Sequence, residues 1–109
     1  MGAMPAHPPL TVIVQRGVRS SVVRLDGELD IAVDDQLRAT LLELAEEARP
    51  VVLDLSELRF CDVPGMRLLM DFSRAAAANG VQVQVRGATG QVDRLLDLTH
   101  ARGVLPLAG

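Results

Sequence analysis

The pattern of hydrophobic and polar positions predicts a β-hairpin followed by a helix in the first half of the chain. Residues 10–14 and 21–26 are rich in β-branched side chains and are separated by a Gly-containing turn, which is typical of paired antiparallel strands. The sequence Gly-Glu-Leu-Asp at residues 27–30 predicts an acidic turn that ends the second strand. From Val33 the apolar residues recur every three or four positions, which predicts a helix that stops at Pro50.

The second half of the chain begins with a predicted strand and helix. Residues 51–55 are almost continuously apolar, which predicts a strand buried on both faces. A second helix is predicted to follow Asp62 and to stop at the Asn-Gly pair 79–80.

A further strand, a third helix and a short last strand complete the predicted order. Residues 81–86 alternate as a strand with one buried face, and Thr89 is a candidate cap for the third helix. Residues 104–107 predict a last short edge strand, blunted by a proline. The predicted inner stripe of the third helix is formed by Val92, Leu95, Leu96 and Leu98.

Strands that alternate with helices imply parallel pairing through right-handed crossovers. The predicted fold class is therefore α/β: one domain with a mixed four- to five-stranded β-sheet packed with about three to four α-helices. We expect residues 1–9 to be a disordered or tag-derived N-terminus and residues 10–109 to form the domain.

Composition narrows the classes of function. The chain has 109 residues, of which 49% are hydrophobic and only 2% aromatic, so the core must be aliphatic and bases have almost no stacking platform. The net charge of −3, without a basic cluster, disfavours nucleic-acid binding. No apolar stretch is long enough to span a bilayer and no signal peptide is visible, so we expect no direct membrane insertion and a cytoplasmic location.

Side chains that could carry chemistry are few. His7 and His100 are isolated, and nothing else suggests a metal site, a cofactor or a catalytic constellation, so an enzyme is not expected. The single cysteine, Cys61, has no neighbouring basic residue that would activate it, which favours a buried structural thiol over a redox sensor.

The acidic turn before the second helix is the strongest candidate site. Asp62 fits a helix N-cap, and it also fits a carboxylate that faces a partner; both readings can hold together. Asp30 is likewise a solvated turn residue or a partner contact. Pro64 fits the first turn of a helix, where its missing N–H has no helical partner.

Four motifs in order resemble the STAS family, whose name joins sulphate transporters and anti-sigma factor antagonists. They are Gly-Glu-Leu-Asp at 27–30, Val-Val-Leu-Asp-Leu-Ser at 51–56, Asp-x-x-Gly at 62–65 and Val-Asp-Arg-Leu-Leu-Asp-Leu-Thr at 92–99. The resemblance covers roughly residues 10–107.

The resemblance implies a protein-binding regulator. Single-domain members antagonise anti-sigma factors and so release a sigma factor, and their partner is a GHKL-type ATPase that acts as a serine kinase on the antagonist. The partner-binding residues it implies are Asp30, Asp62, Val63, Pro64, Gly65, Met66 and Arg67.

The resemblance also implies a phosphorylation site that this chain lacks. The family acceptor, a Ser or Thr, corresponds to Pro64, which has no hydroxyl, and the hydroxyl before it corresponds to Val63. Ser56 and Ser73 are the nearest hydroxyls along the chain, and neither is expected to replace the acceptor. Binding that does not respond to phosphorylation at this position is therefore predicted. Two alternatives remain: a STAS accessory subunit of a lipid ABC transporter, and a STAS domain that senses a small ligand.

Overall fold

The computed structural model describes residues 10–30 and 35–108, and these residues form the predicted α/β fold. The predicted starting residue of the first helix, Val33, lies outside the described residues, and so does the N-terminus at residues 1–9 that is expected to be disordered or tag-derived. The elements follow in the order β1 (Leu10–Arg16), β2 (Ser21–Leu29), α1 (Asp35–Ala45), β3 (Val51–Asp54), β4 (Leu58–Cys61), α2 (Val63–Ala78), β5 (Val83–Arg86), α3 (Gly90–Leu98) and a 3-10 helix at Ala101–Gly103. The described part of the chain thus holds a mixed five-stranded sheet and three α-helices, which confirms the predicted fold class.

Strand β2 is the centre of the sheet, and with nine residues it is more than twice as long as β3 or β4, which pair with its second edge. Its first edge pairs antiparallel with β1 along the whole length of β1. Its second edge pairs in parallel with β3 over the first four residues and with β4 over the last three. Strand β5 then pairs in parallel with β3. Strands β3 and β4 therefore share one edge of β2, one after the other.

The helices cover one face of this sheet. Along β2 every second residue from Ser21 to Leu29 is buried, and the buried side chains of the strands join those of the three helices in one aliphatic core. Strand β3 follows the same alternation: Val51 and Leu53 are buried, whereas Val52 and Asp54 are half-buried. The prediction that β3 is buried on both faces is wrong, because none of the described helices covers its second face.

Two other expectations about the second strand and its partner are wrong. The residues 27–30 do not form a turn after β2, since β2 continues to Leu29 and absorbs Gly27 at a bulge with a positive φ of 122°. The extra length of β2 provides the edge on which β4 forms, a strand that the sequence pattern did not predict. Its first and last residues are buried and the two between them are exposed, so burial does not alternate along the strand.

The C-terminal part also departs from the prediction. Residues 104–107 do not form a strand: the chain leaves α3 through the left-handed residue His100 into the 3-10 helix, and only Leu107 bridges to β5. Leu98 is 76% exposed and does not belong to the inner stripe of α3. It lies about 120° around the helix from the centre of the buried stripe, given about 100° per residue.

Candidate protein-binding site

The ends of β2 and β4 bring the two candidate aspartates to the same edge of the sheet. Leu29 and Cys61 are paired in the parallel ladder, and the Asp62 N–H donates to the Leu29 carbonyl oxygen over 3.0 Å. Asp30 and Asp62 are the next residues of the two strands, and both are half-buried. Two carboxylates that are far apart in sequence therefore end adjacent strands.

Asp62 is the N-cap of α2, as one of its two readings predicted. Its backbone is extended, with φ −91° and ψ 174°, and its Oδ1 accepts the Gly65 N–H over 2.7 Å. Its carbonyl oxygen accepts the Met66 N–H over 2.9 Å, which begins the helical hydrogen bonds. Pro64 lies in this first turn, where an N–H would have no helical partner. The side chain of Asp62 thus orders the helix start and holds a carboxylate beside it.

Gly65 lets the start of α2 approach the end of β2 closely. A β-carbon at this position would lie 2.8 Å from Leu29 Cγ, 2.9 Å from the Leu29 carbonyl oxygen and 3.0 Å from Asp62 Oδ1. Gly65 itself is buried, and Met66 beyond it is fully buried in the core. These two buried residues fix the position of the start of α2 against the core.

The accessible part of the site is a small surface that we call the acidic corner. Val63 is 43% exposed, and Pro64 and Arg67 are also exposed. The acidic corner consists of Asp30, Asp62, Val63, Pro64 and Arg67. It combines two carboxylates, one guanidinium and two exposed apolar side chains, so charged and apolar groups lie together on one accessible surface.

Phe60 adds an apolar side chain that sequence reasoning did not select for this site. It is 39% exposed on β4, two residues before Asp62. Aromatic side chains are enriched at protein–protein interfaces, and this chain has only two phenylalanines. The scarcity of phenylalanine in the composition is the one feature of the sequence that could have drawn attention to Phe60.

Cys61 is the last residue of β4, and its thiol is a structural group. The side chain is fully buried and its Sγ lies 3.3 Å from the Asp62 carbonyl oxygen. Burial, with the nearby Asp62 carboxylate, raises the pKa of the Cys61 thiol to about 12. A thiol that stays protonated is a poor nucleophile, in agreement with the structural reading.

The side chain of Gln91 holds the backbone of Cys61 from the other side. Gln91 Oε1 accepts the Cys61 N–H over 3.0 Å, and Gln91 Nε2 donates to the Cys61 carbonyl oxygen over 2.7 Å. The side-chain amide therefore pairs with β4 as another strand would, and it ties α3 to the strand that leads into the acidic corner. Nothing in the hydrophobic pattern singles this residue out.

The two serines nearest to Pro64 along the chain already donate their hydroxyl hydrogens. Ser56 Oγ donates to Asp54 Oδ1 over 2.7 Å in a turn after β3. Ser73 is buried in α2, and its hydroxyl donates to the Val104 carbonyl oxygen.

Other kinds of site find little support in the described residues. Across residues 10–30 and 35–108 we find no cluster of three or more His, Cys, Asp or Glu side chains with the geometry to hold a metal ion. His100 is exposed at the end of α3. None of the helices in these ranges combines the length and the apolar character that crossing a bilayer demands.

Comparison with known proteins identifies the family. The family described as "Mlab, STAS domain" matches residues 12–106, so the chain belongs to the STAS domain family, as the four motifs indicated. An anti-sigma F factor antagonist from Paenibacillus polymyxa is 28% identical over 88 residues, covering 79% of this chain and 75% of the relative.

Two solved structures share the fold. The crystal structure of an anti-sigma factor antagonist from Mycobacterium paratuberculosis matches with a TM-score of 0.71 and 24% identity, over 90% of this chain and 84% of the other. The phosphorylated form of the Bacillus cell fate determinant SpoIIAA matches with a TM-score of 0.70 and 19% identity, over 91% and 92% of the two chains. At these identities the likeness concerns the fold alone.

Proposed function

We propose that this chain is a non-enzymatic, cytoplasmic regulator that antagonises an anti-sigma factor by binding it through the acidic corner. The observation that carries the proposal is the pairing of Leu29 with Cys61, because it places Asp30 and Asp62 side by side at the start of an exposed helix turn. The relative from Paenibacillus polymyxa is named as an antagonist of this type, which supports the same role.

Within this proposal the residues of the site have two different tasks. Asp30, Asp62, Val63, Pro64 and Arg67 contact the partner, since they are the accessible members of the set implied by the resemblance. Gly65 and Met66 are buried and position the helix turn beneath them. The Asp62 carboxylate is assigned both tasks, because one oxygen caps α2 and the side chain is only half-buried.

The proposed partner is an anti-sigma factor of the GHKL-type serine kinase class. A phosphoserine at a helix start adds about −1.5 to −2 charges, which two neighbouring carboxylates would repel. Pro64 has no oxygen to phosphorylate, so the complex is expected to persist in the presence of ATP. A chain of this kind would hold its partner whatever the phosphorylation state of other antagonists in the cell.

Affinity capture from the native cell tests the proposal. The native chain should recover an identifiable anti-sigma factor, and Asp62→Asn should recover much less of it, whereas the exposed control Asp71→Asn on α2 should recover as much as the native chain. Adding ATP and Mg²⁺ to the purified complex should leave it intact and should not label this chain. Recovery that is equal for the native chain and Asp62→Asn would contradict the role of the acidic corner.

A second candidate is an accessory subunit that binds the ATPase of a lipid transporter, a role that the STAS resemblance also implies. The observation that favours it is the apolar pair Val63 and Pro64, since a partner that is not a kinase has no use for an acceptor hydroxyl. The same capture experiment separates the two candidates, because the recovered partner would then be a transporter ATPase. A ligand-sensing STAS domain would instead show saturable binding of a small molecule.

A further inference from the structure

The sheet has three outer edges among the described residues, and the chain itself pairs with part of two of them. At β5, the Val85 N–H donates to the Pro106 carbonyl oxygen and the Ala108 N–H donates to the Val85 carbonyl oxygen, both over 2.8 Å. At β4, the side chain of Gln91 pairs with both backbone groups of Cys61. Strand β1 is the third edge, and its only strand partner in the described ranges is β2.

The sequence of β1 lacks the features that usually protect such an edge. It has seven residues, all paired with β2 in an unbroken register, and it contains neither a proline nor a bulge. Its one charged residue is Arg16 at the end, and that guanidinium already pairs with Glu47 over 2.9 Å. A long and regular edge strand without inward charges is a template for pairing with another strand.

Hydrogen bonds of β2 establish which backbone groups of β1 point outward. The N–H groups of Ser21 and Gly27 donate to the Pro50 and Glu57 carbonyl oxygens, on the side away from β1. Because the backbone groups of successive residues point to opposite sides of a strand, the N–H and carbonyl groups of the even-numbered residues of β2 point toward β1. There they pair with the backbone groups of Thr11, Ile13 and Gln15. The outward groups therefore belong to the remaining residues of β1, which are Leu10, Val12, Val14 and Arg16.

We propose that β1 pairs antiparallel with β1 of a second copy of this chain, about a two-fold axis that passes by Ile13. In this register each Val12 pairs with Val14 of the other copy, and Ile13 faces its own counterpart. Ile13 is 37% exposed, and it is the largest apolar side chain on the face of β1 that points away from the core. The pairing extends the sheet continuously across both copies and buries the two Ile13 side chains against each other.

Several features favour a copy of this chain over an unrelated strand. The register centred on Ile13 is the one that pairs all seven residues, and an isologous contact closes after two copies. It sets Thr11 opposite Gln15 and Leu10 opposite Arg16, so no like charges meet across the axis. The β1 edge also lies on the opposite side of β2 from β4, so the acidic corner stays open in the dimer.

Sedimentation equilibrium of the full chain tests the dimer directly. The native chain should show a monomer–dimer equilibrium, and Ile13→Lys should raise its dissociation constant by about a hundredfold, because two like charges would face each other. Val18→Lys is the matched control, since Val18 is 98% exposed in the turn after β1, and it should dimerise like the native chain. A native chain that stays monomeric up to its solubility limit overturns the proposal, and so does equal weakening by both variants.

Cysteine cross-linking tests the register. Facing residues of a non-hydrogen-bonded antiparallel pair have α-carbons about 4.5 Å apart, within the roughly 4.4–6.8 Å that a disulfide spans. Ile13→Cys should therefore form a covalent dimer on mild oxidation, while Val18→Cys should not, and the native Cys61 is fully buried and does not interfere. Thr11→Cys and Gln15→Cys should cross-link when mixed but not separately. Cross-linking of Thr11→Cys with itself, or equal cross-linking at position 18, would overturn the register.

Discussion

Gly65 lies so close to Leu29 that a β-carbon on the glycine would meet Leu29 Cγ at 2.8 Å and the Leu29 carbonyl oxygen at 2.9 Å. A glycine inside a helix normally costs stability relative to alanine, by about 0.5–1 kcal/mol. Here we expect the glycine to be the more stable residue, because the methyl group of an alanine would lie too close to a rigid backbone atom of β2. We expect Gly65→Ala to lower the free energy of unfolding by about 1–3 kcal/mol in urea titrations.

Gly103 provides the control for this substitution. It lies in the 3-10 helix, its φ is not positive and no atom would meet its β-carbon within 4 Å. Gly103→Ala should therefore leave the free energy of unfolding unchanged or raise it slightly. If both alanine variants lost the same stability, the close approach of α2 to β2 would not be the cause.

Asp62 has two roles that a pair of substitutions can separate. Asp62→Ala removes the oxygen that accepts the Gly65 N–H and should cost about 0.5–2 kcal/mol of stability. Asp62→Asn keeps an N-cap of similar quality and removes the charge, so it should unfold near the native midpoint. If the charge serves the partner, the asparagine variant should bind the recovered anti-sigma factor more weakly, as isothermal titration would show. A variant with native stability and native affinity would leave Asp62 as a helix cap only.

Gln91 is expected to matter for stability although it lies outside any apolar stripe. Its amide satisfies the Cys61 N–H and carbonyl oxygen together, so Gln91→Ala leaves two part-buried backbone groups without that partner. We expect a loss of about 1–3 kcal/mol, measured by urea unfolding. Gln82→Ala, at an exposed glutamine beside β5, should change stability by less than about 0.5 kcal/mol.

The sequence predicts the regular helices and strands of this fold better than the contacts and connections between them. Helix α2 and its cap Asp62 follow from apolar spacing and local chemistry, which act within a few residues. Strand β4 has four residues with an irregular burial pattern, and it exists because the far half of β2 offers it an edge. The glycine at 27 indicated a turn, yet its positive φ is used in a bulge that keeps β2 going.

The candidate site divides in the same way. Asp30 and Asp62 were predicted as candidates from their turns and from the resemblance, but their adjacency depends on the long-range pair Leu29 and Cys61. The contribution of Gln91 is a tertiary contact between α3 and β4, and no local pattern encodes it. Sequence reasoning therefore selected the residue types at the site and could not supply the contacts that assemble it.

Pro64→Ser tests whether the acidic corner still fits a kinase. The serine would lie in the first turn of α2 and would be exposed, as Pro64 is. If the partner is a kinase-type anti-sigma factor, incubation with ATP should phosphorylate this variant and weaken the complex, whereas the native chain should remain unlabelled. Intact-mass spectrometry measures both outcomes. A Pro64→Ala variant serves as the control without a hydroxyl, and label on that variant would locate the acceptor elsewhere.

Cys61 should control the alkaline stability of the chain almost alone. All eleven basic side chains are arginines and there is no tyrosine, so Cys61 is the only side chain whose ordinary pKa lies between those of histidine and arginine. Burial raises its pKa from 9.0 to about 12 on folding, so the folded chain keeps a proton that the unfolded chain loses in this window. The resulting stability is fully present below about pH 9 and is lost progressively as the pH rises toward 12.

Urea unfolding at intervals from about pH 8 to pH 11 measures this dependence. The native chain should lose stability steadily above pH 9, whereas Cys61→Ala, although less stable at every pH because of the cavity it leaves, should give a nearly flat profile. The comparison rests on the slopes, so the lower starting stability of the variant does not affect it. Parallel slopes in the two proteins would show that another group, and not the buried thiol at the end of β4, controls stability in alkali.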